Sequence, residues 1–229
     1  MRAVVKLGGA LFRRELEPEA IKKTASALGH FVEAKSNRLV LVAGGGENAR
    51  SYITAARKLG ADESSCDMLG IQITNANAEL LHLAFSRESS ITTTSSLKEL
   101  ARISGTYSIV VMGGLQPGQS TNAVAALAAE IIHANLLVNG TDVDGVYTDD
   151  PKKNPKAKLL KTVEANKLLK MTMDGEVFAG RYELLDPLAV RILQRSRIPT
   201  RFVSLSEPVN ILDALQGKDI GTLIVYENR

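Results

Sequence analysis

The chain has 229 residues, of which 45% are hydrophobic, 23% charged and 4% aromatic. A net charge of +3, with few and scattered aromatics, lacks the basic, base-stacking footprint of a nucleic-acid binder. The single cysteine, Cys66, excludes an intrachain disulfide and a cysteine-built metal site. This length supports a sizeable core, as one large domain or two intimate lobes.

The first predicted strand, 2–7, opens without a signal-peptide apolar region and runs into Lys6-Leu7-Gly8-Gly9-Ala10. Ile21, Ala25, Leu28 and Val32 fall on one face of a predicted helix over 18–34. A second strand, 38–43, leads into Gly44-Gly45-Gly46-Glu47-Asn48-Ala49-Arg50 and a helix over 48–59. A further helix, 68–85, is opened by Asp67, where an acidic residue reads as an N-cap. Strand 108–112 feeds the turn Gly113-Gly114-Leu115-Gln116-Pro117-Gly118-Gln119-Ser120-Thr121 and a helix over 122–134. The apolar run 123–138 is broken by Glu130, His133 and Asn135 and is too short to span a membrane, so a cytoplasmic protein is expected. Strand 136–139 enters Asn139-Gly140-Thr141-Asp142-Val143-Asp144-Gly145, where Asp144 and Gly145 suit a turn. Residues 149–158, with Pro151 and Pro155 among charges, read as a surface loop. Helix 187–196 and strands 200–204 and 222–226 complete the pattern.

Strands apolar on successive residues, alternating with amphipathic helices, imply the α/β class: a three-layer α-β-α sandwich with a mostly parallel central sheet. Ligands of such folds bind outside the carboxyl ends of the strands. Three glycine-rich turns follow strands there. Glycine lets backbone N–H groups approach an anion, and a following helix N-terminus adds partial positive charge. Three such turns in one chain point to a site for several phosphates. Lys6, beside one of them, suits phosphoryl transfer, which rests on positioning and electrostatic clamping. Arg50, one helical turn beyond Gly46, matches phosphate geometry bidentately. His30, His82 and His133 sit in or at the ends of helices, which leaves no conventional general base. A phosphate acceptor, with a second pKa near ~6, needs none.

The three turns followed by Val138-Asn139-Gly140-Thr141-Asp142-Val143-Asp144-Gly145-Val146-Tyr147-Thr148-Asp149-Asp150-Pro151 resemble, in this order, the amino acid kinase family. The resemblance covers essentially the whole chain and is closest to the archaeal-type branch that moves the γ-phosphate of ATP onto UMP. Asp67-Met68-Leu69-Gly70-Ile71-Gln72-Ile73-Thr74-Asn75-Ala76-Asn77-Ala78 is similar to the family's UMP-facing helix, and Asp186-Pro187-Leu188-Ala189 to a further family segment. The resemblance implies one domain over 1–229, with an acceptor lobe to about residue 120 and a nucleotide lobe beyond it. It implies Lys6 and Arg50 as charge-stabilising catalytic residues. Gly45, Asp67 and the turn residues Leu115, Gln116, Pro117, Gly118, Gln119, Ser120 and Thr121 would hold UMP, Asp67 through the ribose hydroxyls. Gly9, Ala10, Gly46, Arg50, Thr141, Tyr147 and Asp150 would hold ATP, with Mg²⁺ carried by the nucleotide and its protein ligands unassigned. A homohexamer arranged as a trimer of dimers is implied, with no nucleic-acid or membrane partner.

The chain departs from the family pattern at Asn122, where the family usually has aspartate, and at Asp142, where bacterial relatives carry lysine. It departs again at Gly180-Arg181-Tyr182-Glu183, where relatives have small hydroxyl residues. Asn122 motivates an alternative, a catalytically silent nucleotide-binding protein of the same fold. Isopentenyl phosphate and acetylglutamate kinases are the nearest enzymatic alternatives. The former resemble one another in a histidine near the glycine triplet, absent here, and the latter carry lysine in place of Asp186.

Overall fold

The computed structural model describes residues 1–34, 36–85, 90–151, 153–174 and 185–226. The Gly180-Arg181-Tyr182-Glu183 departure lies outside them. In chain order the elements are β1 (Arg2–Leu7), α1 (Pro18–Glu33), β2 (Arg38–Ala43), α2 (Gly46–Lys58), α3 (Glu63–Leu83), β3 (Ile91–Thr93), α4 (Leu97–Ile103) and β4 (Ile109–Met112). They continue as α5 (Thr121–Ile131), β5 (Leu136–Thr141), β6 (Thr162–Glu164), α6 (Ala165–Asp174), α7 (Pro187–Ser196), β7 (Thr200–Ser204), α8 (Val209–Leu215) and β8 (Thr222–Val225). The strands join one sheet of order β3-β4-β2-β1-β5-β7-β8-β6, parallel except for the β7–β8 pair. This is the expected three-layer, mostly parallel architecture.

Successive strand side chains leave opposite faces of the sheet. β1 therefore sends Ala3, Val5 and Leu7 into a core closed by α1, α3 and α8. Val4 enters the opposite core, closed by α4, α5, α6 and α7. Lys6, next to last in β1, has the parity of Val4 and so leaves the sheet on the α4–α7 side. α5 lies close over the sheet because its inner face is small: Ala123, Ala125, Ala126, Ala128 and Ala129 are all buried. α2 packs chiefly against α3 rather than on the sheet.

Two expectations need correction. α3 begins at Glu63, and its N-cap is Asp62, whose carboxylate accepts from Ser65 N at 2.8 Å. Asp67 therefore stands in the second turn and is not a cap. The short edge strands β3 and β6, and the helices α4, α6 and α8, were also not expected.

The parallel register sets Leu7 opposite both Ala43 and Gly140, and Val42 opposite Met112. The turns after β1, β2 and β4 and the end of β5 thus share one rim.

Candidate active site

Backbone bonds knit this rim together. Gly8 N donates to Gly140 O at 3.2 Å, and Gly44 N donates to Leu7 O at 2.9 Å. A Cβ on Gly8 would stand 2.6 Å from the Gly140 oxygen, so this approach requires glycine. Gly46 has φ +64°, and a Cβ there would meet the Phe12 oxygen at 1.8 Å. Phe12 is fully buried and its carbonyl accepts from Glu47 N at 3.2 Å. That anchor fastens the loop after β1 to the first turn of α2 and brings two glycine turns face to face.

A cavity of about 260 Å³ opens over the ends of β1, β2 and β4. Eight of the expected residues line it: Lys6, Gly9, Gly45, Gly46, Arg50, Asp67, Gln119 and Thr121. Lys6 Nζ lies 3.4 Å from the point a Gly8 Cβ would occupy, and Arg50 Nη2 lies 3.6 Å from the corresponding point on Gly9. Two cations therefore converge on the first glycine turn. Burial draws the Lys6 ammonium down from its ordinary 10.5 to about 8. The Asp142 carboxylate pulls the other way, the Arg50 guanidinium pushes it lower, and Asp186 pulls it up.

The opposite wall comes from α3 and the 115–121 turn. Asp67 accepts from Gly118 N at 2.8 Å, which latches α3 to that turn. The side-chain oxygen of Gln119, Oε1, is buried with no hydrogen-bond partner among the described residues. Ser120 caps α5, accepting from the N–H groups of Asn122 and Ala123, and its hydroxyl donates to Asp186. Ser120, Leu115, Gln116, Pro117 and Gly118 do not line the cavity. Asn122 accepts from Asn139 Nδ2 at 3.1 Å, so the amide at the departure is held in place at the base of α5.

Thr74, Ile53 and Ile71 line the cavity beside Gly70 and Gly114; Ile71 and Thr74 belong to the helix expected to face UMP but were not singled out within it, and Ile53 was not foreseen. Thr74 is buried; its hydroxyl accepts from Gly114 N at 2.6 Å and donates to Ile71 O at 2.7 Å. A threonine within an apolar helical stripe carries no signal of such a cross-link.

The remaining expected residues lie elsewhere. Ala10 lines a second cavity of about 360 Å³, shared with Asp142, Ser204 and Leu205 at the ends of β5 and β7 and with glutamates at positions 15, 17, 19 and 207. Thr141 is buried and turns its hydroxyl onto Val143 O at 2.6 Å. Tyr147 bonds Asp144 at 3.2 Å and pairs through its backbone with Leu159. The Asp150 carbonyl accepts from Lys153 N and Asn154 N, closing the turn there. Thr141 ends β5 and Tyr147 and Asp150 follow it, on the far side of β1 from the first cavity.

No helix among the described residues is long and apolar enough to cross a membrane. The model of the amino acid kinase family matches residues 1–204. The chain is 43% identical to a uridylate kinase of Hyperthermus butylicus, over 96% of each chain. It is 41% identical to that of Methanothrix thermoacetophila, covering 98% of this chain and 99% of the relative. A crystal structure of uridylate kinase from Archaeoglobus fulgidus superposes with a TM-score of 0.86 at 36% identity, covering 98% of this chain and all of the other.

Proposed function

The chain belongs to the amino acid kinase family, and we propose that it is a nucleoside monophosphate kinase that transfers the γ-phosphate of ATP to UMP. The observation that carries this is the meeting of Lys6, Arg50 and two glycine turns on one cavity, opposite Asp67 and the 115–121 turn. Similarity over nearly full length to proteins named uridylate kinase supports the choice of acceptor. The reading divides the chain into an acceptor lobe up to about residue 120 and a nucleotide lobe beyond it.

In this reading the Gly45 backbone holds the UMP phosphate, while Arg50 and the Gly46 backbone hold the phosphates of ATP. One of its oxygens attacks the γ-phosphorus in line; the bond to ADP breaks as the bond to UMP forms, with no covalent enzyme intermediate. Lys6 neutralises charge moving onto the β–γ bridge. The attacking phosphate is already ionised, so no residue need take a proton. Gly9, Ala10, Thr141, Tyr147 and Asp150 receive the rest of ATP. Mg²⁺, arriving on the nucleotide, supplies further charge neutralisation. Asp142 and Asp186, the carboxylates whose charge reaches Lys6, would be the residues to hold it.

The reading extends to a homohexameric, cytoplasmic enzyme of pyrimidine nucleotide synthesis. Exposed Tyr52, Leu59 and Met68, on or beside the paired α2 and α3, support self-association.

The test is a coupled assay with MgATP and UMP, CMP, acetylglutamate or isopentenyl phosphate as separate acceptors. Turnover selective for UMP is expected, with Asp67→Ala chiefly raising KM for UMP and Lys6→Ala chiefly lowering kcat. Measurable UMP binding with no turnover of any acceptor would instead establish the silent nucleotide binder that Asn122 suggests.

A further inference from the structure

We propose that the groove on the outer face of α2 is a second anion site, which takes an inorganic chain of linked phosphates and, by drawing on Arg50, loosens the hold on ATP. The site stands on its own geometry; its effect on turnover rests on the kinase reading above.

A cavity of about 480 Å³ lies along α2 and is lined by Arg14, Glu47, Arg50, Ser51, Thr54, Ala55 and Lys58. The α2 residues among these fall at spacings of three and four, so they share one side of the helix. Asn48 Nδ2 donates to the carbonyls of Arg13 and Arg14 at 3.4 and 3.5 Å. This holds the loop after β1 against α2 and brings Arg14 to the groove. Three cations therefore meet there, against the single carboxylate of Glu47. Their neighbours are neutralised: Arg13 pairs with Glu17 at 3.4 Å and Arg57 with Glu63 at 2.6 Å. Arg14, Arg50 and Lys58 form no ion pair among the described residues. Cations gathered without counter-charge repel one another, and an anion that joins them relieves the repulsion.

Charge and shape narrow the ligand. Arg50 and Lys58 stand about 12 Å apart along the helix axis, a span that linked phosphates cover and a single phosphate does not. Ser51 and Thr54, between them, offer hydroxyl donors to the middle of such a chain. Ala55 is the only apolar residue in the lining, so nothing there favours a nucleoside base. Arg50 also lines the first cavity, where its Nη2 lies 3.6 Å from the point a Gly9 Cβ would occupy. One guanidinium thus serves both cavities. A polyanion on the outer side competes for it with the phosphates of ATP. Because Arg14, Arg50 and Lys58 are exposed, salt screens the attraction.

The experiment titrates inorganic tripolyphosphate into the ligand-free full-length protein by calorimetry, and into the MgATP–UMP assay at fixed free Mg²⁺. Wild type, Arg14→Gln, Lys58→Gln and the double variant are compared. Neither Arg14 nor Lys58 lines the first cavity, so without tripolyphosphate kcat and both KM values should match wild type. Each single substitution should weaken tripolyphosphate binding about threefold and the double about tenfold, as for exposed charge pairs that add. Inhibition should appear as a higher KM for ATP, weaken by the same factors in the variants, and fade between about 50 and 300 mM KCl. Orthophosphate, which reaches only one end of the groove, should bind at least about tenfold more weakly. Tripolyphosphate that does not bind, or binds wild type and double variant alike, overturns the site. A larger loss of CTP than of tripolyphosphate affinity in the double variant overturns the assignment to an inorganic chain. Binding lost in the double variant with inhibition unchanged overturns the coupling through Arg50. Wild type that transfers no phosphate from ATP overturns the kinase reading and the coupling with it, while calorimetry still decides the groove.

Discussion

The Ser120 hydroxyl donates to Asp186 while accepting from Asn122 N and Ala123 N, each at 3.1 Å. Asp186 in turn caps α7 by accepting from Ala189 N at 3.0 Å. Two helix N-termini 66 residues apart along the chain are thereby tied at a single point. Ser120→Ala removes one cap and one partner of the other, at a cost of about 1–3 kcal/mol. At ~2–4 °C per kcal/mol for a chain of this size, differential scanning calorimetry should show a fall of several degrees. Asp186→Asn, which keeps an acceptor for Ala189 N, should fall less than Asp186→Ala.

The lowered Lys6 pKa fixes a direction with pH. The folded value of about 8 lies below the ordinary 10.5, so between them the unfolded chain binds more protons than the native one. Stability of the ligand-free protein therefore rises with pH across that window, and the cost of the buried charge is fully present below about 8. Lys6→Met should raise the unfolding midpoint at pH 7, and that gain should vanish above pH ~10.5. The same variant should lose ~10²–10³-fold in kcat. In wild type, kcat/KM should fall on the alkaline side around pH ~8, a limb that Lys6→Arg abolishes if the arginine supports turnover.

Gly46 and Gly60 both have positive φ, +64° and +88°, yet only Gly46 is crowded. Gly60→Ala should cost only the left-handed penalty of about 1–2 kcal/mol and leave kinetics intact. In Gly46→Ala the new Cβ meets backbone, the Phe12 carbonyl, so the glycine turns must separate. Activity should be lost even where circular dichroism still shows a folded protein.

Thr74→Val conserves shape but leaves Gly114 N buried without its acceptor. A destabilisation of ~1–3 kcal/mol is expected. Because Gly114 lines the acceptor cavity, KM for UMP should rise about tenfold while KM for ATP changes little. Equal changes in both constants would show that the threonine supports the whole rim and not the acceptor wall.

The sheet was largely legible because its central strands are apolar on both faces, as in Val40-Leu41-Val42, and end in glycine. The edge strands β3 and β6 escaped notice because Ile91-Thr92-Thr93 and Thr162-Val163-Glu164 are three-residue segments half-exposed or exposed at most positions. The start of α3 was read too late because its first turn, Glu63-Ser64-Ser65, is polar and exposed, and the apolar stripe begins only afterwards. At the site, glycine and charge announced Lys6 and Arg50, whereas Asp67 was reached through the family resemblance. Thr74 and Phe12 act through a hydroxyl and a carbonyl whose partners are distant in sequence, and no local pattern encodes those.

The crowding of Lys6 against Arg50 has a calorimetric consequence. A phosphate arriving between them brings negative charge to a lysine that is about half neutral at pH 8 and restores its full charge. Nucleotide binding near that pH should therefore draw up to about half a proton per site from the buffer. The apparent binding enthalpy should then differ between buffers of unlike ionisation heat, and in Lys6→Met it should not.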